Sequence, residues 1–147
     1  MHLLRHRTVL CIKAFFLLSA IALVSCAGRK TLSSEELHSD VVSAISLASE
    51  TDAFAGQIEQ GRLTREFQSG HAAYLRDEAE RQAKELRKSA PQANQAQTVH
   101  SCIEQLDLLA RDLARIAKTT TDKTQIPAIR EDVQRVVQSL TGLKAQL

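Results

Sequence analysis

The sequence predicts an all-α fold, an up-down-up-down four-helix bundle, and three observations carry that expectation. Apolar or small residues recur at alternating four- and three-residue spacing in four segments of similar length, the period of helices that bury one stripe. Short stretches rich in Gly, Pro, Ser and Thr separate those segments, which suits antiparallel neighbours. No alternating run of strand length bounded by hairpin signals occurs in the sequence. The same heptad spacing also permits a long helical hairpin or a coiled-coil homo-oligomer.

The first helix is expected to start at Ser33. Ser33-x-x-Glu36 is a capping box, and Leu32 and Leu37 occupy the two positions of a hydrophobic staple. The seam that follows is Leu37, Val41, Ala44, Ala48, Thr51, Ala55 and Ile58. It is built mostly of small residues, so partner helices can approach closely. Gly61 suits the left-handed position after a helix end, and Thr64 can cap the next helix. That second helix runs from about Thr64 to Lys88, with a thinner stripe of Phe67, Tyr74, Leu75, Ala79, Ala83 and Leu86. Ser69-Gly70 is a weak point inside it, since Gly costs roughly 1 kcal/mol relative to Ala in a helix. A break there, with the first helix extended, is the alternative boundary.

Ser89-Ala90-Pro91 separates the second and third helices, with Pro91 acceptable in a first turn. The third carries Val99, Ile103, Leu106, Ala110, Leu113 and Ala117, widened by Leu109 and Ile116. Thr119 to Lys123 form the next loop. Thr124 can cap the fourth helix, which places Pro127 in the turn that lacks internal N–H bonds. Ile126, Ile129, Val133, Val136, Leu140 and Leu143 form its seam, with Val137 beside it.

Residues 1–25 have the three parts of an export signal. Arg5, Arg7 and Lys13 make a positive start, and 11 apolar or small residues follow from Ala14 to Val24. Such a run is about half of the roughly 20 apolar residues a bilayer span needs. Leu23-Val24-Ser25-Cys26 then resembles the lipobox of bacterial lipoproteins. The resemblance covers the leader alone. It implies that the Cys26 thiol receives a diacylglycerol, that cleavage falls just before Cys26, and that the new amine is then acylated, with palmitate a typical chain. Cleavage by ordinary signal peptidase at Ala20-Ile21-Ala22 and retention as an uncleaved anchor are the alternatives. Residues 26–32 become a lipidated tether and residues 33–147 the bundle domain. Residue 27 is Ala rather than Asp, which in enteric-type sorting implies the outer membrane, facing the periplasm, provided the source has two membranes.

Processing reassigns the charge. The chain is +2 with 19 basic and 17 acidic residues, but three of the basic ones lie in the leader, so the mature part holds 16 against 17. That balance argues against a nucleic-acid partner, which needs a basic patch. Cys11 is discarded with the leader and Cys26 is modified, so Cys102 is left without an intramolecular disulfide partner and is expected to be buried.

Catalytic and metal signatures fail on spacing. Glu35-x-x-His38 matches half of a di-metal helix motif once, whereas Gln68 and Gln97 stand where His71 and His100 would need Glu. No Cys-x-x-Cys-His occurs for haem, and the single Met is the initiator. His100 and Cys102, two residues apart on one helix, point about 200° apart and make no base–nucleophile pair. The mixed-sign stretch from Arg76 to Lys88 reads as a solvated face or as a docking face. No catalytic residue, metal ligand or cofactor is therefore expected, and Cys26 is the one site residue. The expectation is a non-enzymatic lipoprotein of the cell envelope, held on a membrane by lipid on Cys26, with a structural or protein-interaction role. A sensor or carrier binding a small ligand or metal inside the bundle, lined by His71, His100 or Tyr74, is the alternative.

Overall fold

The structure, a computed structural model, describes residues 31–119 and 123–147. Four helices form the fold: α1 (Ser34–Glu59), α2 (Arg65–Lys88), α3 (Ala96–Lys118) and α4 (Ile126–Lys144), with a 3-10 turn at Lys123–Gln125 leading into α4. They pack against one another as an up-down-up-down four-helix bundle with no strand among the described residues.

Local chemistry sets the α1 boundaries. Ser33 Oγ accepts from Glu36 N at 3.1 Å, and Glu36 Oε2 accepts from Ser33 N at 3.0 Å, which satisfies two of the open N–H groups reciprocally. Leu32 and Leu37 are both buried beside this cap. At the other end Gly61 stands at φ +68°, the left-handed conformation that ends the helix. Gly61 N donates to Ile58 O and Arg62 N to Gln57 O, which completes a Schellman motif. All seven expected seam residues of α1 are buried.

Thr64 caps α2 by accepting from Phe67 N at 3.3 Å, and the helix runs through Ser69-Gly70 without a break. Gly70 is exposed, and an added Cβ there would meet nothing within 4 Å. Gly70→Ala is therefore expected to stabilise the fold by about 0.5–1 kcal/mol, read as a shifted urea midpoint at constant slope.

Two boundaries differ from expectation. α3 starts at Ala96, so Pro91 lies in the connection and not in a first turn. Gln95 Nε2 donates instead to Ser34 Oγ at 2.8 Å, while Leu32 N donates to Ala90 O at 3.1 Å, and together they clasp the chain entry to the α2–α3 connection. α4 starts at Ile126 after the 3-10 turn, which places Gln125, not Thr124, at the cap position with no side-chain cap bond. Pro127 does fall in its first turn.

Around the bundle, α2 packs closely on α3 and α1 on α4, with α3 on α4 next. The meeting of α1 with α2 is the loosest of the four sides, and α3 also reaches α1 across the diagonal. Leu106, Leu109 and Leu113 of α3 are fully buried, as are Leu37, Val41, Ile129 and Leu140. The close α1–α4 side carries a polar clasp. Arg130 donates to Asp52 Oδ1 and to Glu59 Oε2, both at 2.9 Å, and Gln134 Nε2 also donates to Asp52 at 3.0 Å. Gly56 lies beneath it: an added Cβ would stand 3.4 Å from the Arg130 guanidinium carbon.

Candidate functional site

The open side between α1 and α2 owes its character to the phase of α2. The residues of α2 that turn inward are Gln68, Ala72, Leu75, Ala79, Ala83 and Leu86. Phe67 and Tyr74, expected in that stripe, are instead 51% and 63% exposed. They stand one position before Gln68 and Leu75, a rotation of about 100° on a helix. The inward stripe wins because its alanines let α2 lie close against α3.

The displaced aromatics form a second, outward stripe. His71 stacks on Phe67 with ring centroids 5.3 Å apart and on Tyr74 at 6.1 Å, with planes 17° and 21° from parallel. Across the gap, Phe54 of α1 meets His71 edge-on at 4.8 Å, and Glu50 Oε1 lies 3.4 Å from His71 Nε2. The only aromatic residues after Cys26 are Phe54, Phe67 and Tyr74. All three therefore gather at one place.

Further along the same side, toward the chain entry, the groove turns polar. A cleft of about 250 Å³ is lined by Asp40, Ser43, Glu78, Arg81, Gln82, Glu85 and Leu86. Arg81 makes a two-pronged bond to Glu78, and Gln82 Nε2 donates to Glu78 Oε1 at 3.0 Å. Arg81 first and Gln82 second hold the Glu78 carboxyl below its ordinary value, and Lys88 does the same for Glu85. Both are thus ionised at neutral pH. Gln82 Oε1 is buried and accepts no hydrogen bond from the described residues.

Other polar clusters close on themselves. Arg115 Nη1 bridges Asp112 Oδ1 at 2.9 Å on α3 and Asp132 Oδ2 at 2.8 Å on α4, while Arg135 also pairs with Asp132. Burial raises the Asp112 carboxyl, and the Arg115 bond offsets part of that. Arg87 pairs with Asp107 between α2 and α3. These bonds fasten helix to helix.

The sequence-derived candidates are scattered. His38 is exposed in the first turn of α1. His100 is exposed and 3.1 Å from Glu104, away from the core edge where its neighbour Val99 lies. Neither they nor His71 and Tyr74 line the cleft, and no three His, Cys, Asp or Glu side chains converge as metal ligands among the described residues. Cys102 is buried. The expected leader, the expected lipidation site Cys26, and the expected tether as far as Lys30 lie outside the described residues. Among the described residues no helix is long and apolar enough to cross a membrane.

Phe67 and Tyr74, expected inside, stand outside instead. The usable signal was the i, i+4, i+7 spacing of Phe67, His71 and Tyr74 alongside an equally regular stripe one residue later. Gln82 has no such signal, because its burial depends on where α1 lies. Comparison with known proteins finds no matching family model, no matching curated protein and no matching solved structure.

Proposed function

We propose that this protein is a lipid-anchored, non-enzymatic interaction module of the bacterial cell envelope. Lipid on Cys26 holds it at the membrane, and the α1–α2 side engages another protein. The observation that carries the interaction half is the exposed Phe67–His71–Tyr74 stripe. Aromatic side chains held outward beside a polar cleft suit a docking surface, where such residues supply most of the binding energy. The anchor half rests on the lipobox resemblance of Leu23-Val24-Ser25-Cys26. Two or more acyl chains give stable attachment, whereas one gives only marginal attachment. In a cell with two membranes, Ala27 directs the protein to the outer one.

Both halves are testable in the producing cell. Labelled palmitate is expected to enter the wild-type protein and the membrane fraction to contain it. Cys26→Ser should lose the label and leave the membrane pellet. A photo-crosslinking residue at position 74 should give a discrete envelope adduct, and one at exposed position 131 on α4 should not. Label that persists in Cys26→Ser removes the anchor; equal crosslinking at both positions removes the docking side.

A further inference from the structure

The α1–α2 side is closed more firmly at its ends than along its length. The two helices meet less closely than the other neighbours in the bundle. At the far end the short connection between Glu59 and Arg65 joins them covalently. At the chain entry two hydrogen bonds take the place of a connection. Leu32 N donates to Ala90 O at 3.1 Å, and Gln95 Nε2 donates to Ser34 Oγ at 2.8 Å. Gln95 is 3% exposed, and its Oε1 accepts from Gln92 N at 3.3 Å. One buried amide thus shapes the α2–α3 connection and grips the start of α1. Thr31 forms an isolated bridge with Ala90, and the buried Leu32 seats the strap on that connection.

The polar cleft lies directly behind this strap. Asp40 and Ser43 belong to the first three turns of α1, and Glu78 to Leu86 to the last three turns of α2. The second half of α1 is fastened elsewhere. Arg130 of α4 binds Asp52 and Glu59, and Glu50 stands at His71. The first half is seated by its buried Leu37, Val41 and Ala44, and by the strap.

Four residues separate Cys26 from Thr31. A tether anchored at Cys26 therefore reaches at most about 17 Å before the strap takes its load. Resting on the anchor and docking readings above, we propose that residues 31–34 are a latch on the cleft, operated by the tether. When a docked partner draws the bundle away from the membrane, the Leu32–Ala90 and Gln95–Ser34 bonds break first. The first half of α1 then comes away from α2, and the cleft opens from the entry end. The Arg130 clasp stops the opening near Asp52. Each of the two bonds changes the opening equilibrium by about three- to tenfold, and local openings of this kind occur without global unfolding.

Hydrogen exchange followed by mass spectrometry tests the latch in the protein as isolated from its cell. Gln95→Ala is expected to speed exchange over residues 37–47 by about five- to tenfold, and to leave residues 52–59 within about twofold of the wild type. Ser34→Ala removes the other partner of the same bond while keeping the Ser33 cap, and should give the same pattern even where Gln95→Ala fails to fold. Gln97→Ala, an exposed change in the first turn of α3, should alter neither region. The load is tested by pulling single molecules through handles at positions 26 and 147. A first extension of about 40–50 Å, roughly 15 residues, should precede unfolding of the rest, and Ser34→Ala should lower the force at which it occurs.

Faster exchange spread evenly over both halves of α1, or no change in either variant, overturns the latch. A single unfolding step without the first extension overturns its operation by the tether. Palmitate label that persists in Cys26→Ser, with the local exchange pattern and the first extension both present, keeps the latch and eliminates only the lipid as the source of load.

Discussion

Leu113→Ala is expected to lower the unfolding free energy by about 2–5 kcal/mol, measured by urea denaturation followed by circular dichroism. Leu113 is fully buried on α3, the helix that contacts all three others. The size of the effect depends on whether neighbours can fill the space. Here they are poorly able to. The facing seams of α1 and α2 are rich in buried alanine (Ala44, Ala48, Ala72, Ala79 and Ala83), whose methyls have no rotamers to swing inward. Much of the cavity then persists, and each Å³ of it adds about 24 cal/mol. Leu108→Ala on the same helix is the control. Leu108 is 38% exposed, so a loss of under about 1 kcal/mol is expected there. Equal losses at the two positions would contradict the assigned phase of α3. Since domains of this kind are stable by about 5–15 kcal/mol, the Leu113 variant would stand near its folding threshold.

Where phase was legible in the sequence, one stripe had no rival. α1 has a cap, a staple and a single heptad run from Leu37 to Ile58, and the whole run is buried. In α2 two stripes lie one residue apart. The expected stripe joins Phe67 and Tyr74 of one to Leu75, Ala79, Ala83 and Leu86 of the other, and only the second set, with Gln68 and Ala72, packs. Side-chain size favours Phe67 and Tyr74 over Ala72, yet close helix packing rewards the small residue. α3 shows a milder form, with Cys102 fully buried and Ile103 half-buried at the margin.

Helix starts followed the same logic. Ser33 and Thr64 act through side-chain bonds that a sequence displays. Gln95 and Gln125 stand at cap positions without such bonds, so nothing local marked them. The groove was illegible for a further reason. Its two walls, Glu50 and Phe54 on α1 and His71 and Gln82 on α2, are joined only once the helices fold back on each other. The lipidation proposed at Cys26 rests on the opposite kind of pattern, one wholly contained in adjacent residues.

Cys102 supports a prediction that joins the core to the anchor. In the native protein its reaction with a thiol reagent at pH 8 is expected to be about a thousandfold slower than that of an ordinary cysteine. Burial, with Asp40 adding to it, pushes the thiol from an ordinary 9.0 up to about 12, which starves the reaction of thiolate. Unfolding in urea should release one fast-reacting thiol. That count assumes the leader is gone and the Cys26 sulfur is a thioether; two equivalents would show an unmodified Cys26. The same shift makes stability depend on pH. Between about pH 9 and about 12 the unfolded chain gives up the Cys102 proton while the folded chain keeps it. Stability is therefore full below about pH 9 and falls as pH rises, by up to about 1.4 kcal/mol per unit within that window. Cys102→Ala removes the group, so its urea midpoint should decline less than the wild type between pH 8.5 and 10.5. Parallel decline in the two proteins, or fast reaction of native Cys102, would place that thiol at the surface and not between α3 and the Asp40 side of α1.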